Sequence, residues 1–221
     1  SQVDHIDASG FAIRADGSHA NPGNPAVAGA NTAVGPQAFS EAQGSGNVAI
    51  GYDAMRRAIG GANTAVGQNA GMDMVGDANV AMGVDAGRGT LSSRAVSVGN
   101  AASAGGNDSI AIGTGAVANG ASSISIGTGN RVLAARSGAI GDPTTIITSA
   151  NDSYAIGNNN VVNTADTFVL GNSVDTAVGN SVYLGKDAAA SGTATAPLAT
   201  ATTAGMATYS SSTIGGQTFN Y

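Results

Sequence analysis

The chain has 221 residues, 34 of them glycine, with only 10% charged residues, no Cys or Trp and a formal net charge of −6. Ala, Val and Ile carry the apolar fraction beside only four Phe and five Tyr, so any core must be thin and built of small side chains. With a single lysine, Lys186, and no basic cluster beyond Arg56-Arg57, the chain lacks the concentrated positive charge of a nucleic-acid binder; no apolar run approaches the roughly 18 residues of a membrane span.

Residues 1–30 follow no period. Phe11-Ala12-Ile13 resembles half of a repeat, but Arg14 stands where a glycine would close it, and Asn21-Pro22-Gly23-Asn24-Pro25 is turn material. Terminal repeats of solenoids are atypical because they cover an open edge, which predicts an N-terminal cap, with an attachment segment as the alternative. The opening SQVDHIDASG lacks the basic and apolar parts of a secretory signal. The two histidines, His5 and His19, both lie here and read as surface residues, because no His or Cys accompanies them at a metal-ligand spacing.

From residue 31 a short string recurs: β-branched or apolar, small, apolar, Gly. It reads Thr32-Ala33-Val34-Gly35, then Val48-Ala49-Ile50-Gly51, and later Ile110-Ala111-Ile112-Gly113 and Phe168-Val169-Leu170-Gly171, with Gly138-Ala139-Ile140-Gly141 as a weak copy. The closing glycines are Gly35, Gly51, Gly67, Gly83, Gly99, Gly113, Gly127, Gly141, Gly157, Gly171 and Gly185, spaced by 16, 16, 16, 16, 14, 14, 14, 16, 14 and 14 residues. The two spacings differ by two, so every strand keeps its faces; a difference of one would turn the strand over. A helix is excluded because glycine and β-branched residues at this density each cost about 0.5–1 kcal/mol relative to Ala. The period predicts an all-β parallel β-roll over residues 31–188 with about eleven coils of 14 or 16 residues.

Within each coil the apolar pair around the small residue, such as Ile110 and Ile112, shares one strand face and is expected to fill the roll. Ala111 then points to the other face, expected to be small enough for a neighbouring chain to approach closely. Asn47, Asn79, Ser109, Ser123, Ser153 and Ser181 precede strands as turn formers. Ala38, Ala54, Ala70, Ala86, Ala102, Ala116 and Ala188 stand three residues after the glycine, in a second short segment. So few large core residues per coil bury too little area against an ordering cost of about 1–2 kcal/mol per residue, so the periodicity calls for association without counting the chains.

Residues 189–221 carry no charge and end with Tyr209, Ile214, Phe219 and Tyr221. They are expected to be a cap or docking tail, against a frayed linker as the bland alternative. No catalytic constellation stands out. The repeats hold no His or Cys for a nucleophile's base, and Asp53, Asp85 and Asp187, each two residues past a glycine, suit solvated turns better than a calcium site. Gly113-Thr114-Gly115 and Gly127-Thr128-Gly129 lack the third glycine and the helix of a dinucleotide loop. Asn107-Asp108-Ser109 and Asn151-Asp152-Ser153 match the glycosylation sequon but fall at pre-strand turns. No catalytic residue, cofactor or metal is expected.

The AsnThrAlaValGly, AsnValAlaIleGly and SerIleAlaIleGly strings with their 14/16 spacing resemble the head repeats of YadA-like trimeric autotransporter adhesins, over about residues 31–188. The resemblance implies a left-handed roll and a homotrimer, and phage fibres and spikes reuse such rolls. Neither the sustained heptads of an adhesin stalk nor the alternating strands of its membrane barrel occur in the sequence, and an N-terminal Ser without a signal suits a protein made in the cytoplasm. The expected function is therefore a non-enzymatic fibre or spike on the surface of a phage virion, touching other virion proteins and a host receptor or glycan. The alternative is the head of a bacterial surface adhesin that binds host matrix or glycans; a glycan-degrading spike is the third reading.

Overall fold

Each repeat string forms a short strand that lies beside the same string one coil earlier. The structure, a computed structural model, describes residues 5–6, 12–14, 31–189, 211–214 and 217–220. All secondary structure there is β, without a helix. Eleven parallel strands, from Thr32–Val34 to Ser181–Leu184, stack in chain order into one main sheet. Two strands ahead of them, His5–Ile6 and Ala12–Arg14, extend that sheet in antiparallel fashion, with Ile13 opposite Val34. The chain is thus a parallel β-solenoid of about eleven coils.

The ladder absorbs both coil lengths without a slip. Val80 pairs with Val96 across a 16-residue coil and Val96 with Ile110 across a 14-residue one. The difference is taken up in the second wall. In the last coils this wall is a four-stranded parallel sheet of Val117–Ala118, Arg131–Val132, Thr144–Ile146 and Asn160–Val162. There the paired residue comes soon after the glycine, as Val117 does after Gly113. In the first coils only single bridges join Gln43, Ile59 and Val75, and the path from each glycine first runs through a tight corner. That corner holds left-handed residues at alternate positions: Gln37, Phe39 and Glu41, then Asp53, Met55 and Arg57. The 16-residue coil after Gly141 takes a different route. Pro143 occupies the position where other coils go left-handed, which proline's fixed negative φ forbids, and the extra residues sit after Thr145 in a turn closed by the Ala150 N–H donating to the Ile147 carbonyl.

The interior is narrow. The middle residue of each main strand is buried in all eleven coils, from Ala33 through Ala111 to Val169 and Tyr183, at no more than 4% exposure. Ala38, Ala54, Ala70, Ala86, Ala102 and Ala116 face them, also buried. Phe39, Met55 and Met74 fill the wider first coils, an all-alanine stretch from Ala95 to Ala118 follows, and Val132, Ile146, Val162 and Val174 widen the far end. Tyr183 fills the last coil, its hydroxyl donating to the Val178 carbonyl and accepting from the Val178 N–H at 3.0 Å.

This overturns the expected orientation of the strand faces. Ala111 and its equivalents point inward, and Ile110 and Ile112 point out. Along most of the main sheet the two walls leave room for little more than methyl groups between them, and the Val and Ile pairs are placed outside.

The pre-strand Asn and Ser residues are more than turn formers. Asn31, Asn47, Asn63 and Asn79 are buried and stacked. Each oxygen accepts the N–H one coil on, as Asn47 Oδ1 does from Asn63 N at 2.9 Å, and each amide donates to a carbonyl, as Asn63 Nδ2 does to Gly76 O at 2.9 Å. Where coils shorten, Ser and Thr take over this column: the Ser153 N–H donates to Ser137 Oγ, and Thr167 N–H to Ser153 Oγ. Asn130 Oδ1 accepts the Thr144 N–H and Asn160 Oδ1 the Val174 N–H in a second such column.

The closing glycines from Gly35 to Gly157 are required by both backbone and space. Gly83 has φ of 126°, and a Cβ there would stand 2.7 Å from the Gly99 carbonyl oxygen. Gly115, by contrast, has φ of 64° with nothing within 4 Å of its missing Cβ, which is the left-handed geometry that Asp53 and Asp85 adopt two residues after their own glycines. Gly83→Ala is expected to destabilise the fold by about 1–3 kcal/mol or more and Gly115→Asn by no more than about 0.5 kcal/mol, read from urea unfolding midpoints. Asn63→Ala strips the Asn79 N–H and the Gly76 carbonyl of partners and should cost about 2–4 kcal/mol in the same measurement.

The chain beyond residue 190 forms a separate unit. Its described part is a pair of antiparallel strands, Ser211–Ile214 with Gln217–Asn220.

Candidate functional site

Because the inward residues of the main strands are mostly small, the strands' sizeable apolar side chains lie mainly on the outer face of the main sheet in two columns. The column before each closing glycine is apolar in every coil: Val34, Ile50, Val66, Met82, Val98, Ile112, Ile126, Ile140, Ile156, Leu170 and Leu184. None of them is buried: Val34, Val66, Val98 and Ile126 are half-buried, and the rest range from 38% exposed at Ile112 to 66% at Leu184. The other column is mixed: Thr32, Val48, Thr64, Val80, Val96, Ile110 and Ile124, then Gly138, Tyr154, Phe168 and Val182. At about 4.8 Å per coil the apolar column runs for about 50 Å. Parallel sheets are ordinarily covered on both faces, and single-chain proteins rarely expose an apolar strip of this extent. The outer side of the second wall is no equivalent, since Gln43, Ser103, Arg131, Thr145 and Asp175 interrupt Ile59, Val75 and Val161.

From the second coil on, a left-handed residue two positions before each member of the mixed column flanks it. These residues include Arg94, Asp108, Ser122, Arg136, Asp152, Asp166 and Asn180. Two coil-to-coil ion pairs form here. Arg94 holds Asp108 through bonds of 2.6 and 2.8 Å, and Arg136 holds Asp152 through two of 2.6 Å. Arg57 and Asp73 pair in the same way in the first coils' corner. Hydrogen bonds from the guanidinium groups keep the Asp108 and Asp152 carboxyls below the ordinary carboxylate range. A carboxyl depressed by folding stabilises the fold above its unfolded pKa, and that contribution is lost as pH falls through the folded value. All these groups are solvent-exposed, so the effect is small.

The sequon asparagines also serve the stack: Asn107 Oδ1 accepts the Ser93 N–H at 2.8 Å and Asn151 Oδ1 the Ala135 N–H at 2.9 Å. The eleven closing glycines line one corner of the roll. Of the tail residues, Ile214 and Phe219 lie on the two paired strands, opposite Gln217 and Ser212; Tyr209 and Tyr221 lie outside the described residues, as does His19. Among the described residues no three His, Cys, Asp or Glu side chains converge on a point that would hold a metal ion.

No protein-family model matches the chain, and no curated protein matches its sequence.

Sequence reasoning missed which side of the main sheet faces outward. The signal was present in the alanines three residues after each glycine: with small residues recurring on both walls, the inside has no room for the Val and Ile pairs. If the small face is the inside, Ala111→Leu overpacks the narrowest part of the core and lowers stability by about 1–3 kcal/mol in urea unfolding; an unchanged midpoint would return Ala111 to the outer face.

Proposed function

We propose that this chain is a non-enzymatic fibre or spike protein of a phage virion, a left-handed YadA-head-like roll that works as a surface-exposed homotrimer and takes part in attachment to the host. The observation that carries the reading is the aliphatic column of eleven rungs on the outer face of the main sheet. A copy of the same chain is the natural cover for it. Copies related by rotation about an axis along the rod bring rungs of identical pitch to the same height, including every change between 14 and 16 residues. An unrelated partner would have to reproduce that sequence of coil lengths. The number three and the left hand come from the resemblance of the repeat strings to YadA-like heads.

The same rod also suits the head of a bacterial surface adhesin, which is the alternative. Gene neighbours distinguish the two: capsid and tail genes support the virion reading, an outer-membrane anchor the adhesin one.

Light scattering on purified protein is expected to give three times the chain mass of 21.1 kDa. Ile112→Asp combined with Ile140→Asp puts charge into the seam and should shift the protein to smaller, less stable species. A folded wild-type monomer at micromolar concentration would overturn the assembly, and a trimer indifferent to the double variant would move its seam elsewhere.

A further inference from the structure

The weak copy of the repeat, Gly138-Ala139-Ile140-Gly141, marks a feature of its own. Gly138 is the only glycine in the mixed outer column, and the two residues that follow it on the ladder, Tyr154 and Phe168, are that column's only aromatics. The Tyr154 ring lies over Gly138: a Cβ on Gly138 would meet ring carbons of Tyr154 at 2.8 Å. The glycine therefore leaves the room in which the ring is laid down against the sheet, while Tyr154 and Phe168 stay 41% and 39% exposed.

Beside the rings runs a cleft of about 420 Å³, lined by Asp152, Tyr154, Asp166, Phe168, Asn180 and Val182. Its polar rim includes three left-handed turn residues, Asp152, Asp166 and Asn180, fixed one per coil by the stack. Arg136 holds the Asp152 carboxylate through two bonds of 2.6 Å. The Asp166 carboxylate makes no ion pair among the described residues. Floor and rim together span two coil spacings, about 10 Å.

We infer that this cleft is a binding site for a neutral saccharide, with the Tyr154 and Phe168 rings stacking on the C–H faces of adjacent sugar rings and Asp152, Asp166 and Asn180 bonding their hydroxyls. Carboxylates accept hydrogen bonds and an amide both donates and accepts, so the rim offers the mixed donor and acceptor set that hydroxyls need, over an apolar floor that orients the ligand. Charge argues against an anionic glycan, which meets Asp166 and a chain of net charge −6; Arg136 already holds Asp152, and acceptors on three successive coils suit an array of hydroxyls better than one compact cation. The all-aliphatic column lies on the other side of the strands' midline, so a seam along it leaves the cleft at the margin. The inference deepens the attachment role and rests on that reading.

The test is saturation-transfer NMR of the full chain with maltotriose, cellotriose and triacetylchitotriose, with sialyllactose and choline as charged probes. At least one neutral trisaccharide is expected to bind. Tyr154→Ala and Phe168→Ala should each weaken it by about tenfold, and Asp166→Asn by severalfold with an unchanged melting temperature, since Asn accepts the left-handed backbone. Tyr52→Ala, an exposed tyrosine outside the cleft, should leave binding unchanged. Failure of all three trisaccharides, binding indifferent to Tyr154 and Asp166, or choline or sialyllactose binding in their place would overturn the inference. Light scattering on the same samples separates the two readings. A wild-type trimer that binds none of the sugars sinks the saccharide site alone, and a wild-type monomer sinks the assembly. A Tyr154→Ala variant that lowers the mass places the cleft in the seam and overturns the site.

Discussion

At one corner of every coil the backbone of the next coil comes so close that no side chain fits between them. A Cβ on Gly35, Gly51 or Gly67 would stand 2.8, 2.5 and 2.5 Å from the carbonyl oxygen of the glycine one coil on. The backbone angle there, φ between 120° and 134°, lies beyond the left-handed well that Asp and Asn visit, in space that only glycine enters readily. Each coil must return to this corner, and the ladder of main strands follows from it. What happens elsewhere is freer. The coils after Gly35 and Gly141 have equal length, yet one spends its extra residues in a left-handed corner before the second wall and the other in a turn behind it.

Stacking at the backbone's own spacing leaves a narrow interior, and this decides what can hold it together. Alanine supplies little burial, so hydrogen bonds along the rod take a large share. The buried asparagines each satisfy a donor and a carbonyl of the next coil, so that a column of them carries no orphaned group. An unpaired amide in that position would cost about 1–3 kcal/mol, which ties each coil to its neighbours and makes the order of residues along a column matter more than any single coil.

The period and its parity were legible in the sequence because glycine spacing reports the stack directly: Thr32 opposite Val48 and Val96 opposite Ile110 follow from counting. The face that lies inside was not. Alternation says that Ile110 and Ile112 share a side, but it does not say which side is the core, and the habit of placing large apolar residues inside fails where two walls meet this closely. The aromatic cleft was hidden for another reason. Asp152, Asp166 and Asn180 are far apart in sequence and become neighbours only through the coil register, and Gly138 reads as a degenerate repeat until Tyr154 is set beside it on the ladder.

A thin core and an apolar outer column are two sides of one arrangement. In most folds the large apolar residues are spent on the chain's own interior, and association adds to a structure that already stands. Here each coil keeps Ala or Ser inside for most of the roll and turns its Val, Ile, Met or Leu outward. In the proposed assembly the gain from covering that column grows with every coil added, as does the number of coils that must be ordered, so burial between chains and folding within them would rise together. A short roll of this type has little interior to stabilise it alone, and a long one has a correspondingly long strip to share. The apolar residues that define the repeat therefore lie mostly on the outer face, where the proposed assembly would cover them, and the coil with Gly138 departs from the pattern where that face carries aromatics and a polar rim instead.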